Sequence, residues 1–537
     1  MHLRGRFALV GSLALVASAL VGVAPLHGAA GSAIPPAPMC EQHPFLCTDL
    51  HRHTNYEGEY TGHDEPAIAF YSDKPGSGNR ANYNLTLPRD SEVKPKPNGK
   101  GGTWNFQLHP AFWFSMDLCD NQSGPEYTHD PCTPNSDSNI FDNPDPTAPD
   151  WIGHHPGTAF MEMQFYPPGW VAWPNGVSCS AKQWCAALNI DSLNYSDLTG
   201  LDNNADCLDK VSDEPVNFAF ITKDGNAHAP AGPLESAVND ALTFNPSTDF
   251  VMNPADRINV DMHDTSDGLK ITLHDKTTGK KGSMVASVAN GFAQVVYDPN
   301  ASTCSELPYA FHPQYSTSSV HTRPEWSAHA LNVSMSDEIG HFEYCNAVND
   351  DGTCKDPKTA TDPGGSDRDD NTCFSAADSL RIKVGGCITD FDDDFDGPSY
   401  LNDWPGTGHD RSKVSEPVRF TSPTFDGHQY GQVAFETDLV NLERAFGYCT
   451  ADTLGDCQKP PAGADFYPIY TTGDSKYGGC EWREGGPNLP NTRKTFGGTA
   501  DSEWGRPVAT FYPTGPDSTG VFYENFYNPL PKNPCKG

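Results

Sequence analysis

Residues 257–288, RINVDMHDTSDGLKITLHDKTTGKKGSMVASV, decide the fold class. Ile258, Val260 and Met262 alternate with Asn259, Asp261 and His263. After Asp267-Gly268 the alternation resumes, Leu269, Ile271 and Leu273 against Lys270, Thr272 and His274. A period of two sends successive side chains to opposite sides of an extended ribbon, and Asp-Gly between two such runs favours a tight hairpin turn. A second turn at Thr277-Thr278-Gly279 leads to another strand through Met284 and Val288. The segment predicts an antiparallel meander with one buried face.

Similar runs recur at Ala67–Tyr71, Ala159–Tyr166, Ala186–Ile190, Val216–Ile221, Ala293–Tyr297, Ala330–Met335, Val433–Phe435 and Val508–Tyr512. Helical spacing is scarce, Asp438 to Phe446 being the best short candidate. The expected class is mainly β: an antiparallel β-sandwich or jelly roll with long disulfide-braced loops. A β-propeller is the alternative, weakened by the lack of an internal repeat.

Composition bounds the function. The chain has 537 residues, 49 Gly, 47 Pro and a formal charge of −35. Such a charge repels nucleic acid and anionic membranes before contact forms, so neither is an expected partner. With 11% aromatic and 36% hydrophobic residues the chain can furnish a core and is not a disordered acidic tail.

Arg4 and Arg6 precede an apolar run from Phe7 to Val23, and Ala29, Ala30 and Ala33 offer small residues for cleavage. The pattern reads as a signal peptide over residues 1–33, a membrane anchor being the alternative that the short run disfavours. Secretion as a free monomer is the expectation. All 16 Cys follow this segment, and an even number in an exported chain reads as a disulfide set. Cys40/Cys47, Cys119/Cys132, Cys179/Cys185, Cys345/Cys354, Cys373/Cys387 and Cys449/Cys457 are close enough to close local loops, though spacing does not fix connectivity. Zinc binding is the rival, disfavoured because no C-x-x-C pair occurs. The nearly apolar-free stretch 349–371 suggests a linker or exposed loop over 351–372. It divides a main β body, 34–350, from a β-rich portion, 373–537, or is a surface insertion within one domain.

No G-x-S-x-G elbow, H-E-x-x-H, Walker A or Rossmann glycine pattern occurs, which leaves serine hydrolases of the α/β type, zincins and nucleotide enzymes unsupported. The most unusual stretch is 155–170, HPGTAFMEMQFYPPGW. As a strand, Ala159–Tyr166 points Met161, Met163 and Phe165 one way and Phe160, Glu162, Gln164 and Tyr166 the other. A carboxylate, an amide and rings on one surface, followed by Trp170 and Trp173, suit a carbohydrate groove, where rings stack on sugar C–H faces. The plainer alternative is an ordinary sheet face beside a Trp-lined core.

In Ser336–Cys345, extended geometry puts Asp337, His341 and Glu343 on one face and Glu338, Phe342 and Tyr344 on the other. Glycoside cleavage requires two carboxyls, and Glu162 with Glu343 is the first choice, with Glu338 the substitute and His341 alongside. His51, His53 and His63, with His109, His154 and His155 elsewhere, raise a metal site or a lyase base against isolated histidines. Asp392, Asp394, Asp396, Gly397 and Asp403 occupy positions 1, 3, 5, 6 and 12 of a calcium loop, with Pro398 and the shorter Asp at position 12 against it. The C-terminal aromatics in Phe466–Tyr470, Cys480–Arg483, Thr495–Gly498 and Ser502–Gly505 read as core packing more readily than as a sugar platform.

The segments HPGTAFMEMQFYPPGW, SDEIGHFEYC, FYPIY and TFGGTADSEWG resemble those of a group of secreted actinobacterial and fungal proteins. That resemblance implies secretion and one shared architecture along most of the mature chain, and transfers no activity or catalytic residue. The expectation is a secreted glycoside hydrolase or polysaccharide lyase acting on an extracellular polysaccharide. The alternatives are a non-catalytic glycan-binding or surface protein and a metal-dependent hydrolase built on the His51, His53 and His63 cluster.

Overall fold

The computed structural model describes residues 55–56, 67–96, 101–123, 132, 158–172, 178–196, 201–212, 214–236, 240–319, 332–338, 341–343, 348–349, 372–389, 413, 415–438, 449–450, 470–484, 506–512, 521–530 and 532–535. The chain is mainly β and antiparallel, built on two nine-stranded sheets, neither closed into a barrel.

The predicted meander forms. Arg257–Thr265 pairs with Gly268–Asp275, which pairs with Lys281–Val285. Its first turn requires glycine: Gly268 has φ +126°, and a Cβ there would meet the Ala286 carbonyl oxygen at 2.3 Å. In the second turn the Asp275 carboxylate accepts from the amides of Thr277 and Thr278 at 2.8 and 3.0 Å. Val288 departs from the expectation. The strand stops at Val285, and Val288 begins a short 3-10 turn with 52% of its surface exposed.

This meander sheet continues, in spatial order, from Arg257–Thr265 to Arg80–Thr86, Arg419–Phe420, Cys480–Glu484 and Tyr470–Asp474, with Thr424–Phe425 and His428–Gln429 attached at its side. The second sheet, here the acidic sheet, runs Arg506–Tyr512, Val521–Leu530, Gln432–Asp438, Ala67–Tyr71, Ser334–Glu338, Ala111–Cys119, Thr158–Tyr166, Cys185–Ser192, Val216–Phe220. The predicted runs at 67–71, 159–166, 186–190, 216–221 and 508–512 match strands to within two residues, whereas Ala293–Tyr297 yields a strand only to Val295 and Ala330–Met335 shifts forward to Ser334–Glu338. The predicted strand Val433–Phe435 extends to Gln432–Asp438, so Asp438 ends a strand rather than opening a helix. The rest of that helix candidate lies outside the described residues.

One hydrophobic core fills the space between the sheets. Ile258, Val260, Met262, Leu269, Ile271 and Leu273 meet Phe112, Phe114, Met161, Met163, Phe165 and Leu188 there, all essentially without exposure. Burying a side chain of this size contributes about 1.5–3 kcal/mol, so the apolar residues sealed between the sheets supply most of the driving force for folding.

Strands on both sides of the 351–372 stretch share these sheets: Gln432–Asp438 pairs with Ala67–Tyr71, and Arg419–Phe420 with Arg80–Thr86. The segments 1–33 and 351–371 lie outside the described residues. Four disulfides form among the described residues. Cys119–Cys132 and Cys179–Cys185 are close in sequence, and Cys207–Cys304 and Cys480–Cys535 join distant segments. Cys373 stands directly opposite Cys387 in its ladder. No helix among the described residues is long and apolar enough to cross a membrane.

Candidate functional site

Alternation along Thr158–Tyr166 distributes its side chains as the sequence predicts. Met161, Met163 and Phe165 enter the core between the sheets, and Phe160, Glu162, Gln164 and Tyr166 lie on the outer face. Register then assembles that face. Glu162 stands opposite Ser115 on one neighbour and Asn189 on the other, and Ser115 stands opposite Ser334. One row away, Phe160 lies between Asp117 and Asp191; on the other side, Gln164 lies between Trp113 and Ala187. Glu338 is on the same face, four residues along from Ser334.

The face is polar and covered at once. Asp117, Glu162, Asp191 and Glu338 are all buried, together with Ser115, Asn189, Ser334 and Ser336. A buried carboxylate costs several kcal/mol unless it is hydrogen-bonded or paired, so four of them on one sheet face require partners there, as Gln164 is for Glu162. Part of the cover is visible. Phe218, Phe220 and Tyr166 at one edge pack with Trp104, Phe106, Trp170 and Phe374, with ring centroids 5.9 Å apart for Phe106–Trp170 and 5.0 Å for Trp170–Phe374.

A chain of hydrogen bonds crosses the face to Glu162. The Asn189 side-chain amide donates to the Tyr166 hydroxyl at 3.2 Å. That hydroxyl donates to Gln164 Oε1, and Gln164 Nε2 donates to Glu162 Oε2. Burial pushes the Tyr166 phenol well above its ordinary range, the negative charges of Glu162, Asp191 and Glu338 pushing the same way, against the Asn189 bond. Tyr166 is thus held as a proton donor, and three carboxyls lie near enough for their charge to act on its oxygen.

The predicted site residues separate. Glu162 retains 5% of its surface, while Gln164 and Tyr166 retain 0%, so these two stand behind Glu162 as its supports rather than at a surface facing a sugar. Trp170 is a core ring of the covering cluster. Glu338 shares the face, two strands and four residues from Glu162, which strand spacings put at roughly 16 Å between Cα atoms. Ser336–Cys345 is not one continuous strand. Ser334–Glu338 pairs with Ala111–Cys119, whereas His341–Glu343 pairs with Gly386–Thr389 in a separate three-stranded sheet. The ladder changes partner between them, so alternation does not carry from Asp337 to His341 and Glu343. Trp173, the calcium-loop residues Asp392, Asp394, Asp396 and Asp403, and His51, His53 and His63 lie outside the described residues. Asp117 and Asp191 belong to the face, and no motif in the sequence marks them. Their place in alternating strands beside the Glu162 strand is the available signal.

A second cluster lies on the core side, where His109, Asp337 and Glu484 are fully buried. His109 Nδ1 is 2.6 Å from Asp337 Oδ2 and 3.6 Å from Glu484 Oε2. Burial pushes both carboxyls well above their ordinary range and lowers the imidazole, Glu484 opposing the latter. One nitrogen and two carboxyl oxygens at this spacing are a donor set able to hold a metal ion.

No family model, curated protein or solved structure matches the chain.

Proposed function

We propose that the outer face of the acidic sheet is the working surface of a carbohydrate-active enzyme, with Glu162 as the central carboxyl of a glycoside hydrolase. The observation that carries the reading is the company Glu162 keeps: Asp117, Asp191 and Glu338 on the same buried face, with the Trp113 and Phe160 rings between them. Glycoside hydrolysis needs one carboxyl to protonate the leaving oxygen and a second to act as base or nucleophile. Diagonal neighbours on adjacent strands are ~7–8 Å apart. Side chains rising in parallel keep a similar spacing, so Glu162 with Asp191 or Asp117 falls within the ~6.5–9.5 Å that inversion uses. Neighbouring carboxyls in a low-dielectric site cannot all ionise, which leaves one of the set able to act as the acid.

Hydrolysis is favoured over elimination because a lyase needs a strong base, and the nearest phenol, Tyr166, is held protonated. Binding without catalysis is the second reading, favoured by the full burial of Gln164 and Tyr166, which leaves Glu162 as the member of that series a sugar would meet. Secretion as a monomer and a structural calcium at Asp392, Asp394, Asp396 and Asp403 belong to the same proposal, on sequence grounds.

Reducing-end release across a panel of neutral and cationic polysaccharides tests the assignment. Wild type releases product, and Glu162→Gln loses about 100-fold or more, the span of one acid–base group. Asp191→Asn and Asp117→Asn identify the partner, and Glu343→Gln serves as the control in the separate sheet. Activity unchanged in Glu162→Gln removes Glu162 from the mechanism. Glycan binding without product release selects the binding-only reading.

A further inference from the structure

The sandwich core contains three polar groups that its packing does not need. Asp337 is the core-facing residue between Ser336 and Glu338, which face outward. His109 lies just before the strand Ala111–Cys119 of the same sheet, and Glu484 ends the strand Cys480–Glu484 of the opposite sheet. Each side chain has no exposure to solvent. The two carboxyls hydrogen-bond to each other, and apart from that contact no protein N–H or O–H among the described residues donates to Asp337 Oδ1 or to either oxygen of Glu484. Each unsatisfied buried polar atom costs about 1–3 kcal/mol, and ionised carboxyls facing one another cost more. A species carrying positive charge between the two sheets removes both penalties.

From this geometry we propose that His109, Asp337 and Glu484 bind one zinc ion that joins the two sheets. A divalent ion neutralises two carboxylates, and the imidazole completes a mixed nitrogen and oxygen set of the kind zinc takes. Tetrahedral ligands around zinc at 2.0–2.1 Å stand roughly 3.3 Å apart; the three side chains take three of the four positions, and the two separations from His109 Nδ1, 2.6 and 3.6 Å, straddle that spacing. All three ligand atoms lie within 4.8 Å of one another. Calcium is the poorer occupant, since it requires six to eight oxygens, and only two of the three donors are oxygen. The role is structural. Glu484 reaches the ion from the C-terminal part of the chain, Asp337 from a strand of the acidic sheet, and His109 from the turn that leads into another. Because Asp337 adjoins Glu338, the ion also fixes the strand that presents Glu338 on the outer face.

The test is metal analysis by mass spectrometry of the full-length protein, purified without a histidine tag and dialysed into metal-free buffer. The expected result is one zinc per chain in wild type and at least tenfold less in Asp337→Asn and Glu484→Gln. Should those variants fail to fold, wild type is unfolded in guanidinium with chelator and refolded with zinc chloride or with magnesium chloride. The zinc-refolded protein then takes up one equivalent and melts at a higher temperature than the magnesium control. Wild type without zinc, taking up none on refolding, overturns the proposal and leaves a cluster balanced by protons alone. Stoichiometric zinc that survives in His109→Gln, Asp337→Asn and Glu484→Gln places the ion elsewhere and also overturns it.

Discussion

The two large sheets carry the same alternating pattern and use it differently. On the meander sheet the outward residues Asn259, Asp261, His263, Lys270, Thr272 and His274 are half-exposed, so the face is open to water. On the acidic sheet the outward residues of Thr158–Tyr166 and its neighbours mix polar groups with Phe160, Trp113 and Ala187, and every position is buried. A solvated polar face costs nothing special, whereas a covered one must find its partners internally, as the Asn189 amide nitrogen, Tyr166, Gln164 and Glu162 do. Carboxyls gathered on a covered face, where each needs a partner from the protein, are the feature that the proposed catalytic use accounts for.

The largest effect lies on the face the two sheets share. Phe165→Ala removes a fully buried ring stacked on Phe112, with centroids 5.1 Å apart. Chemical denaturation should show a loss of about 3–5 kcal/mol, and a loss below about 1 kcal/mol would mean the core is not where the sheets meet. Next comes the covered face. Gln164→Leu takes away the acceptor of Tyr166 and a donor to Glu162, so the same assay should give about 1–3 kcal/mol. A change within experimental error would put that network in contact with water and erase the contrast.

Buried and half-exposed carboxyls of the two sheets also differ in their pH signature. Burial raises the carboxyl of Asp120, at the end of an acidic-sheet strand, even though Ser192, Gln122 and Gln294 donate to it. With its folded pKa above the unfolded value, Asp120 favours the folded state at low pH, and that contribution is lost as pH rises through the folded pKa. On the meander sheet the His263 imidazole, 2.7 Å away, holds Asp261 below the ordinary carboxylate range. Its contribution is present above the unfolded pKa and is lost as pH falls through the folded one. Melting curves from pH 3 upward should therefore show Asp120→Asn gaining on wild type as pH rises, and Asp261→Asn losing. Parallel trends would contradict the assignment of one carboxyl to each environment. The smallest effect is expected at Thr272→Ala on the solvated face, within about 0.5 kcal/mol of wild type.

The sequence made the meander legible because its turn residues and its alternation agree: Asp267-Gly268 marks the hairpin, and Ile258, Val260 and Met262 mark the buried side. The faces of Thr158–Tyr166 followed from the same rule. Alternation is silent on what covers an outward face, so Glu162 and Asp261 look alike in the sequence and differ in the structure. Asp337 does not share a face with His341 and Glu343 by alternation, because the segment belongs to two ladders rather than one. Glu484 is inconspicuous beside Cys480–Arg483, where Trp482 dominates the local pattern. What matters about Glu484 is that it meets His109 and Asp337 across the sandwich, and no local pattern encodes such a meeting.

The thermal midpoint of Glu162→Gln, measured beside wild type in one buffer, tests most directly whether the covered acids serve function or structure. If Glu162 is retained for chemistry, the amide keeps an acceptor for Gln164 and sheds a buried charge, and the midpoint stays level or rises. A midpoint several degrees below wild type would make Glu162 a structural group and contradict the account.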